Sequence, residues 1–133
     1  MAPTTTLIYA GILGLMLIVL SVAVIRQRHL SRVSLGAGDD PELLRRIRVQ
    51  ANFTEYVPLA LILIWLLDAA QFSVWVIHVL GIVLVAGRVI HAFGLRPSPP
   101  VSPGRRIGMA ATFLVIGAAS ILGLLWAFAG IRL

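Results

Sequence analysis

Apolar residues run along this chain in four long stretches, broken by short polar or proline-rich segments. The first stretch, Thr6 to Ile25, holds no charge and is long enough to cross a hydrocarbon core of about 30 Å. Arg26, Arg28 and Arg32 follow it and nothing basic precedes it. A cleaved leader carries its charge first, so the stretch predicts a retained helix over about 6–25. Val33 to Asp40 reads as a loop. Asp40-Pro41-Glu42 then opens a helix: an Asp cap, a proline at the first helical position, and a carboxylate favoured by the helix dipole. That helix is predicted over about 42–67, polar in its first half and apolar from Val57 to Leu67.

A short turn, Asp68 to Ser73, leads into a third span over about 74–93, interrupted by His78, Arg88 and His91. The stretch from Arg96 to Gly104 holds four prolines, which lack the amide donor and clash with a preceding helical turn, so it predicts a loop. The last uncharged run gives a fourth span over about 107–131. The expected fold is an all-α membrane protein, a single domain over 1–133 forming a bundle of four transmembrane helices.

Composition agrees with that reading. Of 133 residues, 59% are hydrophobic and the mean hydropathy is +1.00, which places most of the surface in lipid. With no cysteine, disulfides, thiolate metal ligands and a cysteine nucleophile are excluded. The net charge is +6, and all eleven basic residues are arginine. They flank apolar spans rather than forming a soluble basic face, so orientation explains them better than nucleic acid. Ten of the eleven fall on the two loops and helix ends of one side, leaving Arg132 on the other. This asymmetry predicts a multi-pass protein with both termini outside the cytoplasm, and the all-arginine bias points to a GC-rich bacterial genome and hence an inner membrane. Tyr9, Trp65, Trp75 and Trp126 fall near the outer ends of their spans, as an interfacial aromatic belt would.

Orientation does not explain charges that continue into the membrane. At about 100° per residue, Arg45, Arg48, Asn52, Glu55 and Tyr56 share one helical face about 100° wide. A carboxylate that deep costs at least ~2.5 kcal/mol, so Glu55 calls for a cation partner or a wet cleft. An internal salt bridge is the plain structural reading of it. Arg88 and His91, three residues apart, share a face of the third helix at similar depth. Arg105 and Arg106 stand at the entrance to the fourth, where snorkelling to headgroups is the ordinary role, as topogenic charge is for Arg28 and Arg32. Together these ends predict a basic, partly desolvated pocket for a small carboxylate-bearing anion, with Glu55 facing an amine. His78 stands alone and predicts a hydrogen bond to a neighbouring helix rather than a metal site. Asp68 predicts a turn or cap.

The run Arg48-Val-Gln50-Ala-Asn52-Phe-Thr-Glu55-Tyr56-Val-Pro58 closely resembles the signature of the membrane-associated proteins in eicosanoid and glutathione metabolism, the MAPEG family. Six of its eleven positions match the R-x-Q-x-N-x-x-E-Y-x-P segment of the leukotriene-forming member. Arg88-Val-Ile-His91 is similar to the family's R-x-x-H or R-x-x-Y element, and Arg106 to the arginine opening its fourth helix. The resemblance spans essentially the whole chain. It implies a homotrimer binding glutathione between subunits, with no metal, and a lipophilic electrophile arriving through membrane lipid. By position it assigns Arg48, Gln50, Asn52, Glu55, Tyr56, Arg88, His91 and Arg28 to glutathione binding. Glu55 is then set toward the amino group and Arg48 and Arg28 toward carboxylates. Gln50 lies more than ~100° off the stripe and has to serve another interface or reach around. Arg106, with Arg105 as the alternative, is implied to stabilise the glutathione thiolate.

A glutathione transferase, with peroxidase activity as an option, is the reading this supports. The competing reading is a lipid-binding scaffold without turnover. A small multidrug exporter ranks below both, because those carry a carboxylate in the first span and this one has none.

Overall fold

The computed structural model describes residues 4–94 and 102–130. Arg96, Ser98, the proline run up to Val101, and Arg132 lie outside the described residues. Four helices follow in order: α1 (Thr4–Ser31), α2 (Pro41–Ala69), α3 (Val74–Phe93) and α4 (Pro103–Ala129). All four are long and apolar enough to cross a membrane.

Two of the predicted boundaries move for identifiable reasons. α1 continues past Ile25 to Ser31, carrying Arg26 and Arg28 on helix beyond the apolar run. α4 starts at Pro103 rather than near residue 107. Sequence reasoning placed Pro103 and Gly104 in the loop, yet Pro103 occupies the first helical turn, where its missing donor costs nothing. Ser102 caps that turn, its Oγ accepting from Arg105 N at 3.3 Å. α2 matches expectation at both ends, and Asp40 Oδ1 accepts from Glu42 N and Leu43 N at 2.9 and 3.1 Å. Pro58 is accommodated inside α2 without ending it.

α2 and α3 pack against each other, and each also packs against both α1 and α4. α1 and α4 make no packing contact among the described residues, so the α2–α3 pair stands between them. The core comprises Leu13 of α1, Phe53, Val57, Ala60 and Ile64 of α2, Ile77, Leu80 and Leu84 of α3, and Val115 and Ala119 of α4. The outward faces are equally apolar: Leu7 is 69% exposed and Leu114 67%. In water that would be untenable; in a bilayer those faces meet acyl chains.

Because lipid is as apolar as leucine, helices in it are held by close packing and polar ties rather than by expulsion of water. Gly81 lets α3 approach α1 so closely that a methyl group there would come within 2.3 Å of the Tyr9 ring. Polar ties secure the end away from the arginines. Asp68 Oδ2 accepts from both the amide and the hydroxyl of Thr6 at 2.8 Å, satisfying an open donor in the first turn of α1. The cap role expected of Asp68 therefore serves α1 rather than its own helix. His78 finds its predicted partner on another helix: Tyr9 OH and His78 Nδ1 share a hydrogen bond of 2.6 Å.

Candidate functional site

The arginine-rich end is built on the α1–α2 loop and the ends of α3 and α4. Asp40 organises the loop. Besides capping α2, it accepts from Gln27 Nε2 at 2.8 Å and from Ser31 Oγ, tying the end of α1 to the start of α2. These hydrogen bonds, Gln27 first, hold its carboxyl at about 2, below the ordinary value of 3.8.

Deeper in the bundle, α2 and α3 meet through a polar pair, the buried Arg88 and the half-buried Asn52. Arg88 is 2% exposed, and its Nη2 donates to Asn52 Oδ1 at 2.9 Å. Among the described residues, Arg88 Nε and Nη1 and the buried His91 Nε2 have no hydrogen-bond partner. A guanidinium presents five N–H donors and an unmatched buried one is costly. This is therefore a place where an anionic or polar group would be held strongly. His91 owes its burial to Gly108: a methyl there would stand 2.5 Å from Gly87 O and 2.6 Å from His91 Cβ. The bare α-carbon lets α4 lie directly over His91. Tyr56 packs edge-on against Phe113 with ring centroids 5.4 Å apart, joining α2 to α4 on the same side.

The remaining residues of the stripe face outward. Arg48 and Glu55 are exposed, and Glu55 forms no salt bridge among the described residues, where both ion pairs belong to Glu42. The internal salt bridge considered for Glu55 is thus not formed within one chain. Arg45 leaves the stripe to pair with Glu42, Nε and Nη2 donating at 2.7 and 2.5 Å. Arg105 and Arg106 are exposed on the first turn of α4.

Two residues stand apart from this cluster in a single chain. Gln50 turns to α1, its Nε2 donating to Ser21 Oγ at 2.7 Å, as its angular offset required. Arg28 donates from Nη1 to Gly36 O at 2.7 Å in the loop. It lines a basic recess with His29 and Arg32. One chain therefore brings together Asn52, Tyr56, Arg88 and His91. It presents Arg48, Glu55, Arg105 and Arg106 on its surface and sends Gln50 and Arg28 elsewhere. The helices are rotated so that the stripe flanks the core instead of lining it.

Sequence reasoning missed the Gln27–Ser31–Asp40 tie and the Gly87–Gly108 contact. The first had a legible signal in polar residues closing α1 just before a capping Asp. The second had only glycines in two spans, which do not by themselves say which pair meets.

The sequence model of the MAPEG family matches residues 6–131. Over 119 residues the chain is 35% identical to the inner membrane protein YecN of Escherichia coli K12, an alignment covering 90% of this chain and 88% of the relative. The same protein from Escherichia coli O6:H1 strain CFT073 matches with the same identity and coverage.

Proposed function

The chain belongs to the MAPEG family, and from that premise we propose that it is a glutathione transferase of the inner membrane. In this reading it assembles as a homotrimer with its arginine-rich end in the cytoplasm and conjugates lipophilic electrophiles. The observation that carries the reading is the disposition of the matched motif. Asn52 is bonded to the buried Arg88, while Arg48 and Glu55 of the same helix are exposed, as are Arg105 and Arg106 in the first turn of α4. A zwitterionic tripeptide needs cations for its carboxylates and an anion for its amine. Here that set lies on a surface that a second subunit can complete. Gln50, turned to Ser21 of α1, and Arg28, bonded into the α1–α2 loop, would in this reading serve a neighbouring subunit's site rather than their own.

In this reading Arg48 holds a glutathione carboxylate, Glu55 its ammonium, and Asn52 and Tyr56 its backbone. Arg88 brings unmatched donors, and His91 an unmatched ring nitrogen, beneath it. A thiol of ordinary pKa, about 8.5, is mostly protonated at neutral pH. The Arg106 guanidinium, at a helix N-terminus whose dipole has the same sign, favours the thiolate electrostatically without taking its proton. The thiol proton goes to solvent and the thiolate sulfur bonds to the electrophilic carbon; a leaving group departs with its bonding pair, or, in addition, the displaced π pair takes up a proton from solvent. Titrating the purified protein with glutathione while following thiolate absorbance tests this: a saturable rise at neutral pH is expected. Saturable binding without thiolate formation or turnover would make the lipid-binding scaffold the better account.

A further inference from the structure

We propose that the groove between α1 and α3 is a binding site for a single-tailed lipid carboxylate, distinct from the thiol site. The groove encloses about 550 Å³, within the roughly 300–1,000 Å³ typical of small-molecule sites. Ile12 and Ala23 mark its ends on α1, Val85 and Val89 line it from α3, and α2 supplies the floor with Arg45 and Arg46. None of Arg48, Asn52, Glu55, Tyr56, Arg105 or Arg106 lines it. Between Ile12 and Ala23 the helix rises about 16 Å, close to half of a ~30 Å hydrocarbon core. A single chain entering from the arginine-rich interface would therefore end near the bilayer midplane.

The polar end gives the groove its chemistry. Arg45 spends Nε and Nη2 on Glu42, and Arg46 spends Nε on Glu42 and Nη1 on Ala23 O at 3.1 Å. Arg45 Nη1 and Arg46 Nη2 make no hydrogen bond within the described residues, and two guanidiniums share one carboxylate. The cluster thus keeps one uncompensated positive charge and planar donors that suit a carboxylate. Its walls are otherwise apolar. An occupant with one negative end and one tail satisfies both parts; a neutral lipid satisfies only the second. This site does not rest on the glutathione reading.

The test uses the full chain in nanodiscs of zwitterionic lipid, with a palmitate carrying a mid-chain diazirine as photoprobe. Crosslinks are expected at Met16, Val85 and Val89. Oleate should compete at least about tenfold better than oleyl alcohol. Arg46→Gln should lower labelling, and Val89→Trp, which fills the mouth, should abolish it. Glu42→Gln should raise labelling by freeing both guanidiniums, whereas a purely structural pair would give a loss. Crosslinks spread evenly over lipid-facing residues such as Leu15 and Ile18, or equal competition by the alcohol, would reduce the groove to bulk-lipid contact and overturn the proposal. Phosphatidylglycerol competing as well as oleate would equally overturn the assignment to a carboxylate.

Discussion

Arg88 donates to Asn52 across 2.9 Å at the α2–α3 contact, a fully buried guanidinium held by a neutral amide. No carboxylate stands beside it among the described residues. The pair joins two helices and leaves cationic donors beneath the surface on which Arg48 and Glu55 lie.

Removing one partner of this pair should be worse than removing the charge. Asn52→Leu strands the guanidinium and should destabilise the protein by about 1.5–3 kcal/mol. Arg88→Met removes the desolvated charge as well and should cost less. Thermal unfolding of the purified protein in one detergent, read by helicity for both variants and the double variant, measures the order. Equal losses would mean that packing dominates at this contact.

Gly108 and Gly117 make a matched comparison on one helix. Gly108→Ala drives a methyl into Gly87 O and His91 and should cost about 1–3 kcal/mol. Gly117→Ala meets nothing within 4 Å and should be neutral or stabilising by up to ~1 kcal/mol through helix propensity. The same unfolding assay separates them.

Binding of glutathione should depend on both charges of the exposed face. Glu55→Gln and Arg48→Ala should each weaken it by about ten- to a hundredfold, for loss of a charge-assisted contact in a partly desolvated site. Calorimetric titration of variants that remain folded checks this. Unchanged affinity in both would detach the motif from glutathione.

Arg106→Ala should leave glutathione bound but raise the pKa of the bound thiol. Turnover of a generic electrophile should fall at neutral pH and partly recover as pH rises, because hydroxide then makes the thiolate. Arg106→Lys should retain part of the effect, since charge remains without the forked geometry. Arg105→Ala should behave as an interfacial anchor with nearly normal turnover. An exchange of these two phenotypes would assign the chemistry to Arg105.

The α1–α2 loop should open in acid. Asp40 has its carboxyl depressed to about 2 in the folded chain, so its tie is fully present above the ordinary value near 4. It is lost as pH falls through the folded value. Limited pepsin digestion should cut the loop increasingly between about pH 4 and pH 2. Asp40→Asn, which keeps a capping oxygen but not the charge, should flatten that pH dependence.

What the sequence determined by itself is the set of four spans and the polar residues that interrupt them. Insertion into lipid is a cost summed along a segment, so composition and order mark the four helices, while their ends past the apolar runs depend on local caps. The Asp-Pro start of α2 was legible because capping is local. The equivalent Ser-Pro start of α4 was equally local, but it was obscured by the prolines before it. Asn52, Glu55, Arg88 and His91 stood out because a bilayer makes each of them costly. Tertiary structure alone decided how each helix is rotated about its axis: that Asn52 turns inward to Arg88 while Glu55 faces out, that Gln50 reaches Ser21, and that Tyr9 meets His78. Lipid and core are equally apolar, so hydropathy carries almost no information about which side of a spanning helix is buried. Close contacts such as Gly81 with Tyr9 and Gly87 with Gly108 set that rotation instead, and they exist only once the helices have packed.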